Sequence, residues 1–320
     1  MKNILLLSAG RRVELLQAFR SEAQKLDPRI KVMAMDSRPD LSAACQVADL
    51  AVKAPSIHSE NYADFLLETC LEHDVELVIP TIDTELVTLA TNRQRFIDRG
   101  VTLVISDERF VVECRDKRKT AHIFKTLGIR TPKVFARESI KFPCFAKPYD
   151  GSSGKGSTVL RDSSALSPGI LSDETIMFME FIDSPYTEFT VDAYYDKSKR
   201  LRCFVPRQRM EVRGGEVSKG VTRKGGVYDF LLTRLPRLSN AVGCITVQLF
   251  VSESKDDFVA IEINPRFGGG FPLSYSAGAN YPGWLIREFL LHEEIPFFDD
   301  WEENLLMLRY DAKVLVHGAV

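Results

Sequence analysis

The chain reads Val259-Ala260-Ile261-Glu262-Ile263-Asn264-Pro265-Arg266 near its C-terminal end. In a β-strand, side chains at positions i and i+2 lie on one face, so Glu262 and Asn264 present two hard oxygens in the same direction. Pro265 cannot donate to the strand ladder and therefore ends the strand. Arg266 then places a guanidinium just beyond the oxygens. Hard oxygens beside a fixed cation are suited to Mg²⁺ and a phosphate group.

A third oxygen donor joins this pair if the upstream segment forms a hairpin with it. The apolar segments on either side of the charged loop 253–257 both have the pattern of β-strands. A hairpin closed by a Ser252–Phe258 pair places Gln248 opposite Glu262, and directly opposed side chains share a face. This register also turns an apolar set toward a core. The set consists of Val247, Leu249, Ile261 and Ile263.

We therefore predict a metal site formed by Gln248, Glu262 and Asn264. One carboxylate and two amide oxygens carry little charge. Such a set suits a Mg²⁺ ion that takes its remaining ligands from nucleotide phosphates and water. Mn²⁺ is the alternative ion for the same donors.

The composition is that of an ordinary globular protein. The 320 residues are 45% hydrophobic and 27% charged, which leaves room for about two domains. The net charge of −2 gives no indication of binding to nucleic acid or to an anionic membrane. The six cysteines are widely spaced without a CxxC motif, which indicates free thiols in a reducing cytoplasm. The five histidines form no HxxxH pattern, so we expect no zinc site.

The N-terminal third, to about residue 106, alternates apolar strand patterns with amphipathic helix patterns. This alternation predicts an α/β domain with a doubly wound parallel sheet of Rossmann type. Only Gly10 stands where a dinucleotide fingerprint has three glycines, so we expect no dinucleotide site. The predicted strands are Ile4–Leu7, Val32–Met35, Leu77–Pro80 and Val101–Ile105, and the predicted helices are Val13–Leu26, Tyr62–Leu71 and Glu85–Phe96.

From Phe142 onward the pattern changes to strand–turn–strand, which indicates a two-part α+β domain. A helix that opens at Asp116 and runs to Leu127 precedes it. We place the two domains at 1–113 and 114–320, with a lid subdomain at about 140–182. The predicted strands include Ile176–Ile182, Glu188–Tyr195, Leu201–Val205, Cys244–Val251 and Phe258–Ile263.

A glycine-rich loop, 151–156, follows an apolar strand that ends in Lys147. Glycines let backbone N–H groups approach phosphates closely. The loop is neither a Walker A loop, which requires Gly-Lys-Ser/Thr, nor a protein-kinase loop, since the HRD and DFG motifs are absent. A plain hairpin turn is the alternative. The candidate phosphate-binding residues of the loop are Gly151, Ser152, Ser153, Gly154 and Gly156.

Two lysines add to this interpretation. Lys147 either points at an anion beneath the loop or extends to the surface. Lys117 lies in the first turn of a helix, where the helix dipole disfavours a cation without a partner; an exposed lysine is its alternative reading.

The segment 177–182 is apolar except for Glu180. Its backbone can hydrogen-bond an adenine edge, and Glu180 can accept a hydrogen bond from a ribose hydroxyl; a plain buried strand is the alternative. In the next strand, Glu188, Thr190 and Asp192 share a polar face, as expected for a strand beside a cleft.

The segment 207–224 is rich in arginine, lysine and glycine. We predict a mobile loop that closes over a phosphate or an acidic substrate. The predicted catalytic cations are Lys219 in this loop and Arg266 after the strand that ends at Asn264. A solvated basic loop is equally compatible with this composition.

Taken in order, these motifs resemble the ATP-grasp superfamily, and most of all its carbamoyl-phosphate synthase large-chain branch and similar stand-alone carboxylate–amine ligases. The resemblance covers nearly the whole chain. It implies a pre-ATP-grasp domain followed by an ATP-grasp domain, with ATP between two β-sheets. The implied phosphate contacts are Lys117 and Lys147, the implied adenine and ribose contacts are Glu180, Phe181 and Ile182, and Glu188 lines the nucleotide site. The implied metal ligands are Gln248, Glu262 and Asn264, with Arg266 on the acyl phosphate or the substrate carboxylate.

The resemblance implies an ADP-forming ligase that activates a small-molecule carboxylate as an acyl phosphate, which an amine or ammonia then attacks to form a C–N bond. ATP and Mg²⁺ are the expected cofactors. Two alternatives stay open: a subunit of a split carbamoyl-phosphate synthase, which would need a glutaminase-like partner, and a non-catalytic ATP-binding regulatory module. A homodimer is a further expectation, whereas nucleic acid and membranes are not expected partners.

Overall fold

A computed structural model describes residues 2–151, 156–254 and 256–318 of the chain. The described residues form three β-sheets, which follow one another along the chain. The first sheet is parallel, and the other two are antiparallel. The predicted class, a doubly wound parallel domain followed by an α+β domain, is confirmed.

The first sheet has five parallel strands in the order β3-β2-β1-β4-β5. Its central strand is buried along its whole length, which explains the continuous apolar run from Ile4 to Leu7. The strands are β1 Asn3–Leu7, β2 Val32–Asp36, β3 Ala51–Lys53, β4 Val75–Ile79 and β5 Thr102–Leu103. The helices are α1 Val13–Leu26, α2 Ala43–Val47, α3 Tyr62–Glu72, α4 Asp83–Ile97, α5 Glu108–Arg115 and α6 Lys117–Thr126.

The second sheet has four short strands in the order β6-β9-β7-β8. Alternation along β7 buries Cys144 and Ala146 in a small core, whereas Phe145 and Lys147 face the opposite side. The strands are β6 Val134–Phe135, β7 Cys144–Pro148, β8 Thr158–Leu160 and β9 Ile176–Glu180, and α7 spans Pro168–Ser172.

The third sheet has six strands in the order β14-β13-β10-β11-β12-β15. The strands are β10 Tyr186–Tyr195, β11 Leu201–Arg213, β12 Glu216–Thr222, β13 Gly243–Ser252, β14 Phe258–Asn264 and β15 Leu306–Leu308. The helices are α8 Gly226–Leu232, α9 Phe271–Ser276 and α10 Tyr281–Leu285, followed by a π-helical turn at Ile286–Leu290.

The segment 207–224, predicted as a loop, instead forms most of an antiparallel hairpin whose register is irregular near Glu211. β11 and β12 pair antiparallel around a turn at Gly214 and Gly215, both of which have positive φ. Charged side chains are compatible with strand structure here because one face of the hairpin lines a polar cavity, whereas part of the other is exposed. The prediction of a mobile loop was therefore wrong.

Helix α1 connects the first sheet to the third. Phe19 packs edge-on against Phe267, with ring centroids 5.9 Å apart. Glu22 is buried and accepts hydrogen bonds of 2.8 Å from Tyr275 and from Asn280. These contacts fix the loop after β14 against the start of the chain.

The six cysteines are all buried with free thiols, as predicted. Across the ranges that the structure describes, we find no helix whose length and apolar character would let it cross a bilayer.

Candidate functional site

The hairpin of β13 and β14 contains the predicted opposition of Gln248 and Glu262. It does not close as predicted, because Val251 rather than Ser252 pairs with Phe258. A β-bulge at Ile261 absorbs the difference of one residue and restores the register. Ile261 was expected in the core, but the bulge turns it into a cavity instead.

Four residues form one row across the third sheet. Arg207 on β11 pairs with Thr190 on β10, Thr190 pairs with Gln248 on β13, and Gln248 pairs with Glu262 on β14. Neighbouring strands are about 4.8 Å apart, so the row separates the backbones of Arg207 and Glu262 by about 14 Å. As predicted, Phe189 and Val191 lie on the opposite, buried face of β10.

A cavity of about 340 Å³ lies between the second and third sheets, and we call it the inner cavity. Phe145 and Met179 pair across β7 and β9 and line it from one sheet, whereas Phe250 and Ile261 line it from the other. These apolar side chains form a slot of the kind that accepts a flat ring. Other lining residues are Lys117, Lys147, Gly151, Glu180, Phe181, Ile182, Glu188, Gln248 and Glu262.

The two lysines of the inner cavity are poised to bind an anion. Lys147 is only 7% exposed, and burial lowers its pKa to about 8, with Glu262 opposing the shift and Lys117 adding to it. Burial also lowers the pKa of Lys117, whose Nζ donates to the Gly151 carbonyl. Ammonium groups whose charged form is disfavoured by burial and by a nearby cation gain from an incoming phosphate.

A second cavity of about 240 Å³ adjoins the first, and we call it the outer cavity. The residues that line both cavities are Lys117, Gly151, Arg209, Gly215, Gln248 and Glu262. Arg12 and Asp83 line the outer cavity from the first domain, and Thr190, Arg207 and Arg266 line it from the third sheet and the loop after β14.

Arg266 is held in the outer cavity by Asp83. Its Nε and Nη2 both donate to Asp83 Oδ2, at 3.1 and 2.6 Å. The other oxygen, Asp83 Oδ1, is buried, and among the described residues it has no hydrogen-bond partner.

Two known families match separate parts of the chain. The family described as PylC-like, N-terminal domain, matches residues 4–104, and the family described as ATP-grasp in the biosynthetic pathway with Ter operon matches residues 172–307. The chain belongs to the ATP-grasp superfamily.

Solved structures share this ATP-grasp fold over nearly the whole chain. The biotin carboxylase domain of Hydrogenobacter thermophilus 2-oxoglutarate carboxylase, a dimer in complex with MgADP, ADP and bicarbonate, has a TM-score of 0.74 at 15% identity, covering 95% of this chain and 73% of its own. N5-carboxyaminoimidazole synthetase from Staphylococcus aureus, in complex with ADP, has a TM-score of 0.72 at 14% identity, covering 92% and 78%. L-amino acid ligase from Bacillus licheniformis has a TM-score of 0.68 at 18% identity, covering 91% and 74%.

One curated relative shares sequence with this ATP-grasp chain. It is the formate-dependent phosphoribosylglycinamide formyltransferase of Bacteroides fragilis, 28% identical over 177 residues. The match spans 52% of this chain and 42% of the relative.

The structure brings together the three predicted metal ligands of the ATP-grasp site. Gln248, Glu262 and Asn264 all line the outer cavity, and Asn264 Nδ2 donates to Glu262 Oε1 at 2.9 Å. Among the described residues, no group of three or more histidine, cysteine, aspartate or glutamate side chains could hold a metal ion. The candidate site is not a group of that kind, because it consists of one carboxylate and two amide side chains.

The predicted nucleotide-binding residues lie in two places. Lys117, Lys147, Gly151, Phe181, Ile182 and Glu188 line the inner cavity. Gly156 has a φ of 73° and packs against Pro148. Ser152, Ser153 and Gly154 lie outside the described residues.

Two predicted residues are engaged elsewhere. Glu180 lines the inner cavity, but its Oε2 accepts from Arg130 at 2.8 Å and from the Lys133 N–H at 3.1 Å, so that oxygen is not free for a ribose hydroxyl. Lys219 is exposed and forms an ion pair with Glu211. Because β12 fixes Lys219 beside Glu211 on the partner strand, the structure does not bring it to the site, and its prediction as a catalytic cation was wrong.

Three arginines that line the outer cavity were not among the predicted site residues: Arg12, Arg207 and Arg209. A signal for two of them is present in β11. Cys203 and Val205 are apolar, and the next positions of the same face are Arg207 and Arg209. That change from apolar to charged marks the point at which the strand leaves the core.

Proposed function

We propose that this protein is an ATP- and Mg²⁺-dependent ligase that activates a carboxylate as an acyl phosphate for attack by an amine or ammonia. The observation that carries the proposal is the meeting of the two cavities at Gln248 and Glu262. The inner cavity has an apolar slot, the buried Lys147 and the half-buried Lys117, as a nucleotide requires. The outer cavity has Arg266 and further cations, as an acidic substrate requires.

The donors at this junction fit Mg²⁺. One carboxylate and two amide oxygens are hard ligands, and the lysines on the inner side are placed for the phosphates that would complete the coordination. When bound, Mg²⁺ would neutralise charge that develops on the phosphoryl oxygens.

The side chains of the chain itself have separate tasks. Lys147 on the second sheet and Lys117 at the start of α6 bind phosphate oxygens, and Phe145 with Phe250 encloses the base. Arg266, oriented by Asp83, binds the carboxylate that enters from the outer cavity. These groups position the reactants and stabilise negative charge, which is the main protein contribution in phosphoryl transfer.

The proposed reaction has two steps. A carboxylate oxygen of the substrate attacks the γ-phosphorus of ATP, and the bond to the β–γ bridging oxygen breaks to release ADP. The amine nitrogen then attacks the acyl carbon and inorganic phosphate leaves, taking with it the oxygen that bound phosphorus. The amine loses a proton as the amide forms.

The names of the similar proteins support this class of reaction. The Staphylococcus aureus protein is a synthetase in complex with ADP, and the Bacillus licheniformis protein is an L-amino acid ligase. At identities of 14% and 18%, these two proteins support the fold and the proposal that the chain binds ATP. The substrate of this chain has to be found by experiment.

The test is to incubate the protein with ATP, Mg²⁺ and a panel of carboxylates and amines, and to measure the nucleotide released. We expect ADP and phosphate in amounts equal to the amide formed. Release of AMP and pyrophosphate would contradict the proposal.

A variant assigns that activity to the site. Glu262→Gln should reduce turnover by about a hundredfold or more, since it removes the only carboxylate of the metal set. Glu253→Gln, in the exposed loop of the same hairpin, is the matched control and should retain full activity.

A further inference from the structure

The outer cavity contains buried hydrogen-bond donors that the proposed reaction does not yet use. Arg207 is 1% exposed. Its Nε and Nη2 donate to the two oxygens of Asp192 at 2.7 and 3.0 Å. Among the described residues its remaining nitrogen, Nη1, has no partner. A buried donor without a partner costs about 1–3 kcal/mol, so its retention points to a ligand.

Arg209, two positions further along β11, repeats this arrangement. Its Nη1 forms an ion pair of 3.1 Å with Glu188, whereas its Nε is buried and, among the described residues, has no partner. Side chains two apart on a strand share a face, so both free donors belong to the same side of the third sheet.

The fold preserves access to Arg207. A Cβ atom at Gly270 would overlap Arg207 Nη1, so only glycine fits beside the guanidinium. Asp192 is fully buried, and the Ser274 hydroxyl donates a hydrogen bond of 2.6 Å to its Oδ2. The guanidinium is therefore locked in place, with one edge on Asp192 and its last nitrogen beside Gly270, which also lines the outer cavity.

The charge of the outer cavity favours an anion with more than one negative group. Seven cationic and three acidic side chains line it. Asp192 and Glu188 neutralise Arg207 and Arg209 from behind, and with these two included the cations still outnumber the carboxylates. Within the described part of the chain, Arg12 and Arg115 form no ion pair within 4.0 Å. Burial lowers the pKa of Arg12, and the nearby Arg266 adds to the shift, so two like charges converge there.

The row across the third sheet separates these donors from the metal site. Glu262 and Gln248 lie at one end and Arg207 at the other, with Thr190 between them. A substrate lying along this row would place the carboxylate to be activated near Glu262 and Arg266 and its other end near Arg207.

We infer that the acid activated by this protein carries a second anionic group, a carboxylate or a phosphate, which Arg207 and Arg209 bind at the far end of the row from Glu262. The inference rests on the proposed function for the identity of the reacting carboxylate. The second anion stays unreacted and sets specificity.

Binding measurements test the inference separately from turnover. Glutarate and butyrate are titrated into the nucleotide-free protein, as are 3-phosphoglycerate and glycerate, so that each pair differs in the second anion. We expect the dianionic member of at least one pair to bind about tenfold more tightly or better, as one charge-assisted hydrogen bond provides. A preference confined to the first pair indicates a carboxylate as the second group, and one confined to the second pair indicates a phosphate. Equal affinities within both pairs would overturn the inference.

Variants test whether Arg207 and Arg209 bind the second anionic group. Arg207→Lys keeps a charge beside Asp192 but removes the free guanidinium nitrogen. The double variant Arg209→Gln with Glu188→Gln removes a partly buried ion pair without leaving either charge unpaired. Each should reduce the preference for the dianion by about tenfold. Arg213→Gln, at the exposed end of the same strand, is the matched control and should keep the preference. Full preference in both test variants would also overturn the inference.

Turnover then separates the two proposals. If the dianion preference is present but neither these acids nor the panel of carboxylates used to test the proposed function yields ADP with ATP, Mg²⁺ and an amine, the ligase reaction is contradicted and the anion site stands. If ADP is released equally well with the monoanionic acids, the ligase stands and the second anion site is contradicted.

Discussion

Arg266 donates two hydrogen bonds to one oxygen of Asp83, and so joins the loop after β14 to the first turn of α4. The two residues lie 183 positions apart in the sequence. Their side chains are mostly buried, at 16% and 17% exposure. The first domain therefore contributes directly to the orientation of a cation in the candidate active site.

Replacing Asp83 tests this orientation. Asp83→Asn keeps the size of the side chain but removes the charge that holds Arg266, and we expect kcat to fall by about tenfold, as for the loss of one charge-assisted hydrogen bond. The KM for ATP should not change, because Asp83 does not line the inner cavity. Steady-state kinetics with ATP and the carboxylate varied in turn measure both constants. Asp64→Asn, which removes an exposed ion pair with Arg95 in the same domain, is the control. An increase in the KM for ATP alone would contradict the role of Asp83.

The lowered pKa of Lys147 predicts that nucleotide binding depends on pH. Burial lowers its pKa to about 8 in the free protein, and a bound phosphate favours the charged form. ATP should therefore bind more weakly as the pH rises through about 8, and binding above that pH should take up a proton. Calorimetry in buffers with different ionisation enthalpies measures this uptake. Lys147→Arg keeps its proton throughout this range, and its affinity should not show the transition.

The lowered pKa of Lys147 also makes the free energy of unfolding depend on pH. Between about 8 and the ordinary value of 10.5, the unfolded chain binds a proton at Lys147 that the folded protein does not. The contribution of this residue to the free energy of unfolding should therefore rise with pH over that interval. Comparing thermal unfolding of the wild type and Lys147→Met across the interval isolates this contribution, and a parallel response in both proteins would contradict it.

Replacing Cys114 tests whether the reaction proceeds without a covalent cysteine nucleophile. Cys114 lines the outer cavity, but burial raises the pKa of its thiol well above the ordinary value, so little thiolate is available. We expect Cys114→Ala to retain most of its turnover. Cys70→Ala, buried in the core of the first domain, is the matched control for the effect of losing a buried thiol. Loss of activity in a folded Cys114→Ala protein, with activity kept in the control, would contradict a direct phosphoryl transfer.

Much of the fold follows from apolar periodicity, as the helix Val13–Leu26 illustrates. Its apolar side chains recur at helical spacing, and Leu15, Leu16 and Phe19 are indeed buried. Strand β3 was not predicted because it is a short edge strand whose residues are exposed or half-buried, so it has no such pattern. β12 was not predicted because its charges resemble those of a solvated loop.

The candidate site was predictable where local geometry determines it. The alternation of Glu262 and Asn264 and their pairing with Gln248 follow from strand geometry, although the bulge at Ile261 does not. The partner of Arg266 could not be predicted, because Asp83 belongs to another domain. Only tertiary packing brings it close, through α1 against α9 and α10 and through α5 against α4 and β14. Lys219 was chosen for its charge, and charge alone does not distinguish a cavity from an exposed ion pair.

A crystal structure of the protein with ADP and Mn²⁺, read by the anomalous signal of manganese, tests the nucleotide site and the metal site together. We expect the adenine between Phe145 and Phe250, phosphates at Lys117 and Lys147, and a manganese peak in contact with Glu262. A nucleotide bound outside the inner cavity, or a manganese ion away from Glu262, would contradict this expectation.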